Sequence, residues 1–149
     1  MGSNTHWRDT AFIAGPVTLA GGIYILFRHE SLLLFDGLQH LHLLPLVSQL
    51  RTVTVPLGAT LPNWVLFSLP DGLWLLSYLL FIRRIWAGSS VGALQFWTGA
   101  GFVLSIGHEL SQAAGWAMGT FDWMDLVAYS VAALVGMTIG QASQNIEKP

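Results

Sequence analysis

Two short acid-bearing elements stand in the second half of the chain. Glu109 and Gln112 lie three positions apart, and Asp122 and Asp125 repeat that spacing after a short joint. Residues three apart on a helix share a face, so each pair turns two oxygen-bearing groups to one side. A further acid, Asp71, opens an apolar run, and Ser68-Leu69-Pro70-Asp71 has the spacing of a capping box, with Ser68 as the cap. Carboxylates and a carboxamide so placed can hold a hard cation through oxygen, bind a cationic amine, or satisfy the free N–H groups of helix starts. Asp71, Asp122 and Asp125 stand at helix starts, so capping and a shared site are both open readings for them. Glu109 differs, because it falls near a helix C-terminus, where the macrodipole disfavours an acid. It therefore calls for a partner, with Arg28, His108 or a bound ligand as the candidates.

Other chemistries are narrowed by residue type. His108-Glu109-Leu110-Ser111-Gln112 resembles a zinc-protease helix with its second histidine replaced by Gln112, a poor zinc ligand, which argues against a metallopeptidase. There is no cysteine, so thiolate metal sites, thiol nucleophiles and disulfides are excluded. No Ser-His-Asp order, phosphate loop or other motif calls for a catalytic triad or a cofactor. The formal charge of -2 includes no basic stripe and sets nucleic acid aside.

The elements that must position these groups belong to a membrane chain. Of 149 residues, 53% are hydrophobic and 9% charged, with seven Trp, and the mean hydropathy is +0.57. A soluble domain carries roughly 25% charged residues. The expected fold is a single all-α domain over 1–149, a polytopic bundle of four transmembrane helices over about 11–27, 69–86, 91–112 and 122–140. The first run is long for the apolar region of a signal peptide and reads as an uncleaved span, with Pro16 near its start. The segment 31–50 places Asp36, Gln39 and His40 on one face and reads as a helix lying in the interface. Pro56, Gly58 and Pro62 then predict a loop over 52–69, and 141–149 a short polar tail.

Four spans with both termini on one side place Arg8, Arg83, Arg84 and Lys148 together, leaving Arg28 and Arg51 opposite. The positive-inside rule makes the termini cytoplasmic and the acids outward-facing. Helical phase groups Thr98, Ser105, Glu109 and Gln112 on the third span, Asp122, Asp125 and Tyr129 on the fourth, and Asp71, Trp74 and Tyr78 on the second. Three polar faces are thus predicted to converge. Ala128, Ala132, Gly136 and Gly140 repeat every fourth position, a stripe on which helices approach closely, within the chain or toward an oligomeric or membrane partner.

The run GHELSQAAGWAMGTFDWMDLVAYSVAALVG over 107–136 resembles the VanZ-like family of small bacterial membrane proteins. In that family an E-x-x-Q element precedes an aspartate-bearing segment and a final helix of small residues. The resemblance covers about a third of the chain and carries over to Glu109, Gln112, Asp122 and Asp125. The basic residue usual between the Gln and the first Asp is missing, and Ala128 or Tyr129 stands where the family often has Asn. LPNWVLFSLPDGLW over 61–74 is similar to uncharacterised bacterial membrane proteins and implies no activity. The VanZ resemblance implies a protein of the bacterial inner membrane, linked in some members to glycopeptide-antibiotic tolerance, with no established reaction.

Three functional classes follow. The first is a binding protein whose pocket of Asp71, Glu109, Gln112, Asp122 and Asp125 takes a cell-envelope ligand. The second is a cation-dependent membrane enzyme acting on a lipid-linked substrate. The third is an interaction subunit or immunity protein whose acids only finish helices.

Overall fold

The computed structural model describes residues 3–28, 33–88 and 90–146, with side chains over 10–28, 34–88 and 90–139. His29, Glu30, Ser31, Lys148 and the side chain of Arg8 lie outside them, and of Gly140 only the helical backbone is described. Among the described residues the chain is all-α. Its helices are α1 (Ser3–Phe27), α2 (Leu33–His40), α3 (Leu44–Gly58), α4 (Asn63–Leu66), α5 (Ser68–Ile85), α6 (Val91–Ala113) and α7 (Trp123–Ile146). The four long runs of the sequence correspond to α1, α5, α6 and α7. One of them carries a window long and apolar enough to cross a membrane, Thr10–Phe27 in α1, with mean hydropathy 1.7.

α5 is the central helix and packs against α7, α1 and α6. Leu75 and Leu79 of α5 meet Tyr129, Ala132 and Ala133 of α7 in the main core, flanked by Leu76, Tyr78 and Phe102. Close approach is possible because Gly72 has no Cβ: one placed there would lie 3.0 Å from both the Cβ and the carbonyl oxygen of Ala128. The stripe of Ala128, Ala132 and Gly136 is therefore occupied by α5 of the same chain. At the far end of this seam Arg83 turns inward and donates to the Gly136 carbonyl at 3.3 Å.

Several expectations are corrected. Pro16 falls in the middle of α1, because helix extends back to Ser3. Beside it, the Ser77 hydroxyl of α5 donates to the Ile13 carbonyl. The helix expected over 31–50 is two helices. α2 ends in a six-to-one turn, Leu43 N–H to Leu38 carbonyl at 2.9 Å, with His42 left-handed at φ 57°. α2 does expose Asp36, Gln39 and His40 while burying Phe35 and Leu38, which join Val47 of α3 in a second small core.

The loop expected over 52–69 is largely helical, since α3 runs through Pro56 and α4 follows. Tertiary bonds explain this. The last carbonyls of a helix have no partner of their own, and α3 supplies donors to those of α1: Arg51 to Ile25 at 2.7 Å and Thr54 to Leu26 at 3.1 Å. The Ser68 cap does not form. α4 leads into α5 with only Phe67 between them, its backbone already helical, and Ser68 is inside the helix with its hydroxyl buried and unpartnered. The tail is helical to Ile146.

The outer faces are rich in apolar side chains, and two acids are buried. Outer faces carry Phe12, Leu19, Phe81, Phe96 and Leu134, and Val103 and Leu104 are 71% and 72% exposed, whereas Glu109 and Asp125 are buried.

Candidate functional site

The end of the bundle where α1 finishes, α5 begins, α6 finishes and α7 begins encloses a cavity of about 420 Å³. Asp71, Glu109, Gln112, Asp122 and Asp125, the five residues singled out in the sequence, all line it. Local structure explains each placement. Asp71 projects from the first turn of α5. Glu109 and Gln112 lie on the inward face of α6, whose start is fixed by Ser90 accepting from the Ala93 N–H at 3.4 Å. Asp122 precedes α7, and its Oδ1 accepts from the Met124 N–H at 2.9 Å. Asp125 and Tyr129 follow at one-turn spacing, both buried.

The wall also holds Tyr24, Arg28, Phe67, His108, Gly119 and Thr120. Arg28 donates to the Tyr24 hydroxyl at 3.1 Å, and its guanidinium carbon lies 4.7 Å from the ring centres of both Tyr24 and Phe67. Its Nε is buried without a hydrogen-bond partner. The Gln112 amide donates to the Met118 carbonyl at 3.3 Å and lies 2.9 Å from His108 Nε2, the ring nitrogen accepting. The joint between α6 and α7 needs Gly119, which has φ 125°; a Cβ there would fall 2.4 Å from Gln112 Nε2.

Glu109 is 3% exposed and Asp125 8%. Glu109 Oε2 and Asp125 Oδ1 are both buried with no hydrogen-bond partner. Buried polar atoms are nearly always paired, and an unpaired charged group costs more than a neutral one. Both oxygens belong to side chains that line the same cavity. Among the described residues no three His, Asp or Glu side chains gather closely enough to hold a metal ion.

Trp74, expected on the face of Asp71, is 50% exposed and points away, because α5 is covered on several sides and its polar turn does not extend down the helix. Tyr24 and Phe67 join the wall without having been expected there. Tyr24 and Arg28 stand one turn apart at the end of the first apolar run, the spacing that aligns a cation with a ring, and that is the signal the sequence holds for Tyr24. Phe67 has none.

Comparison with protein-family models, curated proteins and solved structures finds no match for this chain.

Proposed function

We propose that this chain is a small multi-pass protein of the bacterial inner membrane, VanZ-like in character, whose acidic cavity opens outward and binds a cell-envelope ligand. The observation that carries the reading is the convergence of Asp71, Glu109, Gln112, Asp122 and Asp125, from three helices, on one cavity with two unpartnered carboxylate oxygens. Four of these residues carry the family resemblance. The basic residue usual between the Gln and the first Asp is missing here, and Arg28, directly after α1, lines the same cavity.

Insertion of four helices is supported by length and surface. α5 has 18 residues, α6 23 and α7 24, or about 27 Å or more at 1.5 Å per residue, against a hydrocarbon core of about 30 Å. Asp71, Arg83 and Arg84 in α5 and Glu109 in α6 lower their apolar content, and such groups are tolerated in a span when they face the bundle interior or its ends. Exposed Val103, Leu104 and Leu134 suit lipid. α1 behaves as a retained span, because Ser77, Arg51 and Thr54 bond to its carbonyls. Arg83 and Arg84 lie at the end opposite the cavity, so the positive-inside rule turns that end, with both termini, to the cytoplasm.

The native absence of cysteine makes the topology directly testable. Met118→Cys, at the cavity end, is expected to react with a membrane-impermeant maleimide on intact cells, and Ala87→Cys only after permeabilisation; the reverse pattern, or equal labelling, overturns it. Ligand binding is tested by thermal unfolding of the purified protein with bacterial envelope lipid extract, alongside glycopeptide susceptibility of expressing cells. Stabilisation is expected for the wild type and its loss in Glu109→Gln and Asp125→Asn. Variants that match the wild type in both assays refute the binding reading.

A further inference from the structure

The chemistry of the unpartnered atoms narrows the ligand. Glu109 Oε2 and Asp125 Oδ1 belong to different helices, sit on side chains more than nine-tenths buried, and border one cavity. Each of these oxygens can accept a hydrogen bond, and an occupant that brings donors satisfies both. Two donors of the wall already have other contacts, although the Arg28 Nε has no hydrogen-bond partner. Gln112 bonds to His108 and the Met118 carbonyl, and the Arg28 guanidinium is held by the Tyr24 hydroxyl and packed over the Tyr24 and Phe67 rings.

Charge points the same way. Among the described residues, Asp71, Glu109, Asp122 and Asp125 line the cavity with one guanidinium, Arg28, and an excess of one sign of charge in a low-dielectric site favours the opposite sign in its occupant. A bare metal ion fits poorly, because a hard cation wants six or more oxygens at about 2.0–2.6 Å, and among the described residues no three acidic or imidazole groups are close enough to share one. An ammonium group asks less. It has three rotatable N–H donors, each reaching a separate acceptor at about 2.7–2.9 Å. A cavity of about 420 Å³ also holds a group of several heavy atoms rather than a naked ion.

We infer that the cavity receives the primary ammonium group of an organic amine, which donates to Glu109 Oε2 and Asp125 Oδ1 with the Asp71 carboxylate facing it. The inference rests on the ligand-binding reading above and assigns its ligand class. The group has two sources, a soluble amine or the headgroup of an aminophospholipid, and the recognised chemistry is common to both.

The test uses the full chain, purified in detergent and, separately, reconstituted in phosphatidylcholine nanodiscs. Thermal unfolding is followed in detergent against 1,4-diaminobutane and ethanolamine, with sodium chloride at matched ionic strength and magnesium chloride as controls. In nanodiscs it is followed with and without phosphatidylethanolamine. A saturable rise in midpoint with the amine, beyond that in either salt, is expected in at least one arm. A response to the soluble amines without one to phosphatidylethanolamine identifies a free amine, and a response to phosphatidylethanolamine, with or without one to ethanolamine, identifies a headgroup. Glu109→Gln and Asp125→Asn are each expected to raise the half-saturating concentration about tenfold or more, since each removes a charge-assisted bond. Arg28→Gln, which removes the competing cation, is expected to lower it. Either acid variant suffices if the other does not fold.

No amine response in either arm, a magnesium response equal to the amine response, or unchanged amine binding in the folded acid variants overturns the assignment. If envelope extract still stabilises the wild type and not Glu109→Gln while both amine arms are silent, the ammonium assignment falls and the binding reading stands. If the extract effect is also absent, both fall.

Discussion

The α5–α7 pair borders two hollows of opposite character. On one side lies the acidic cavity. On the other, Leu69, Leu73, Leu76, Val127, Val131 and Val135 line an apolar groove of about 190 Å³. The residues that separate the two are sequence neighbours. Asp71 faces the cavity and Gly72 the groove; Asp125 faces the cavity and Met124 the groove; Tyr129 and Ala128 divide the same way. One residue is about 100° of helical turn, so the contrast is set by phase. A single crossing, fixed where Gly72 meets Ala128, aims three polar side chains inward and leaves the opposite side apolar. The hollows differ most in their unpartnered atoms. The cavity has two carboxylate oxygens and the Arg28 Nε, while the groove has the single hydroxyl of Ser68.

The most disruptive way to break this contrast is Gly72→Val. Its branched side chain would meet Ala128 where even a Cβ is tight, and overpacking of this kind costs about 1–3 kcal/mol. Unfolding in mixed micelles with rising dodecyl sulfate should shift by that amount, and Glu109-dependent stabilisation by envelope extract should disappear as the helices part. Gly107→Ala is the control. The space its methyl group would enter is open, with no neighbouring atom within 4 Å, and an alanine in a helix interior is about 1 kcal/mol better than glycine, so stability should hold or rise. Equal behaviour of the two variants would mean that the crossing does not set the contrast.

Within the cavity, Glu109 and Asp122 sharpen the comparison by responding with opposite sign. Glu109→Leu removes a buried carboxylate with an unpartnered oxygen, together with the acceptor of the Asp122 backbone N–H; desolvation is the larger effect, so the unliganded protein should gain about 1 kcal/mol while ligand-dependent stabilisation is abolished. Sites kept for function commonly show this trade. Asp122→Ala removes the acceptor for the Met124 N–H and should destabilise by about 1 kcal/mol, as loss of a helix cap does. Both are read in the same micelle titration. Destabilisation by Glu109→Leu would place Glu109 among the structural acids and remove the main support for a ligand site.

How much of this was legible in the sequence follows from which forces act locally. Periodicity within one segment put Glu109 with Gln112 and Asp125 with Tyr129, and the structure keeps both pairs on inward faces. The capping role of Asp122 was readable because a cap bond spans two residues. What failed depended on distant partners. α3 is helical through Pro56 because Arg51 and Thr54 reach α1, contacts with sequence separations of 26 and 28 that no local pattern encodes. Trp74 shares helical phase with Asp71 but not its surroundings, since the neighbours of α5 change along its length. Phe67 became part of the cavity wall only because α4 merges into α5 and brings its ring over Arg28.

The smallest expected effect concerns the groove. Ser68 is 1% exposed and its hydroxyl has no partner, superficially the same condition as Glu109. The two differ in charge and in surroundings. A neutral hydroxyl in an apolar wall loses one hydrogen bond with water, whereas an ionised carboxylate loses several stronger ones. A hydroxyl is also small enough for its removal to leave little space behind. Ser68→Ala should therefore raise stability by less than about 1 kcal/mol and leave extract-dependent stabilisation of the cavity unchanged. Loss of that stabilisation in Ser68→Ala would show that the groove and the cavity hold one ligand between them, and the separation by helical phase would no longer describe two sites.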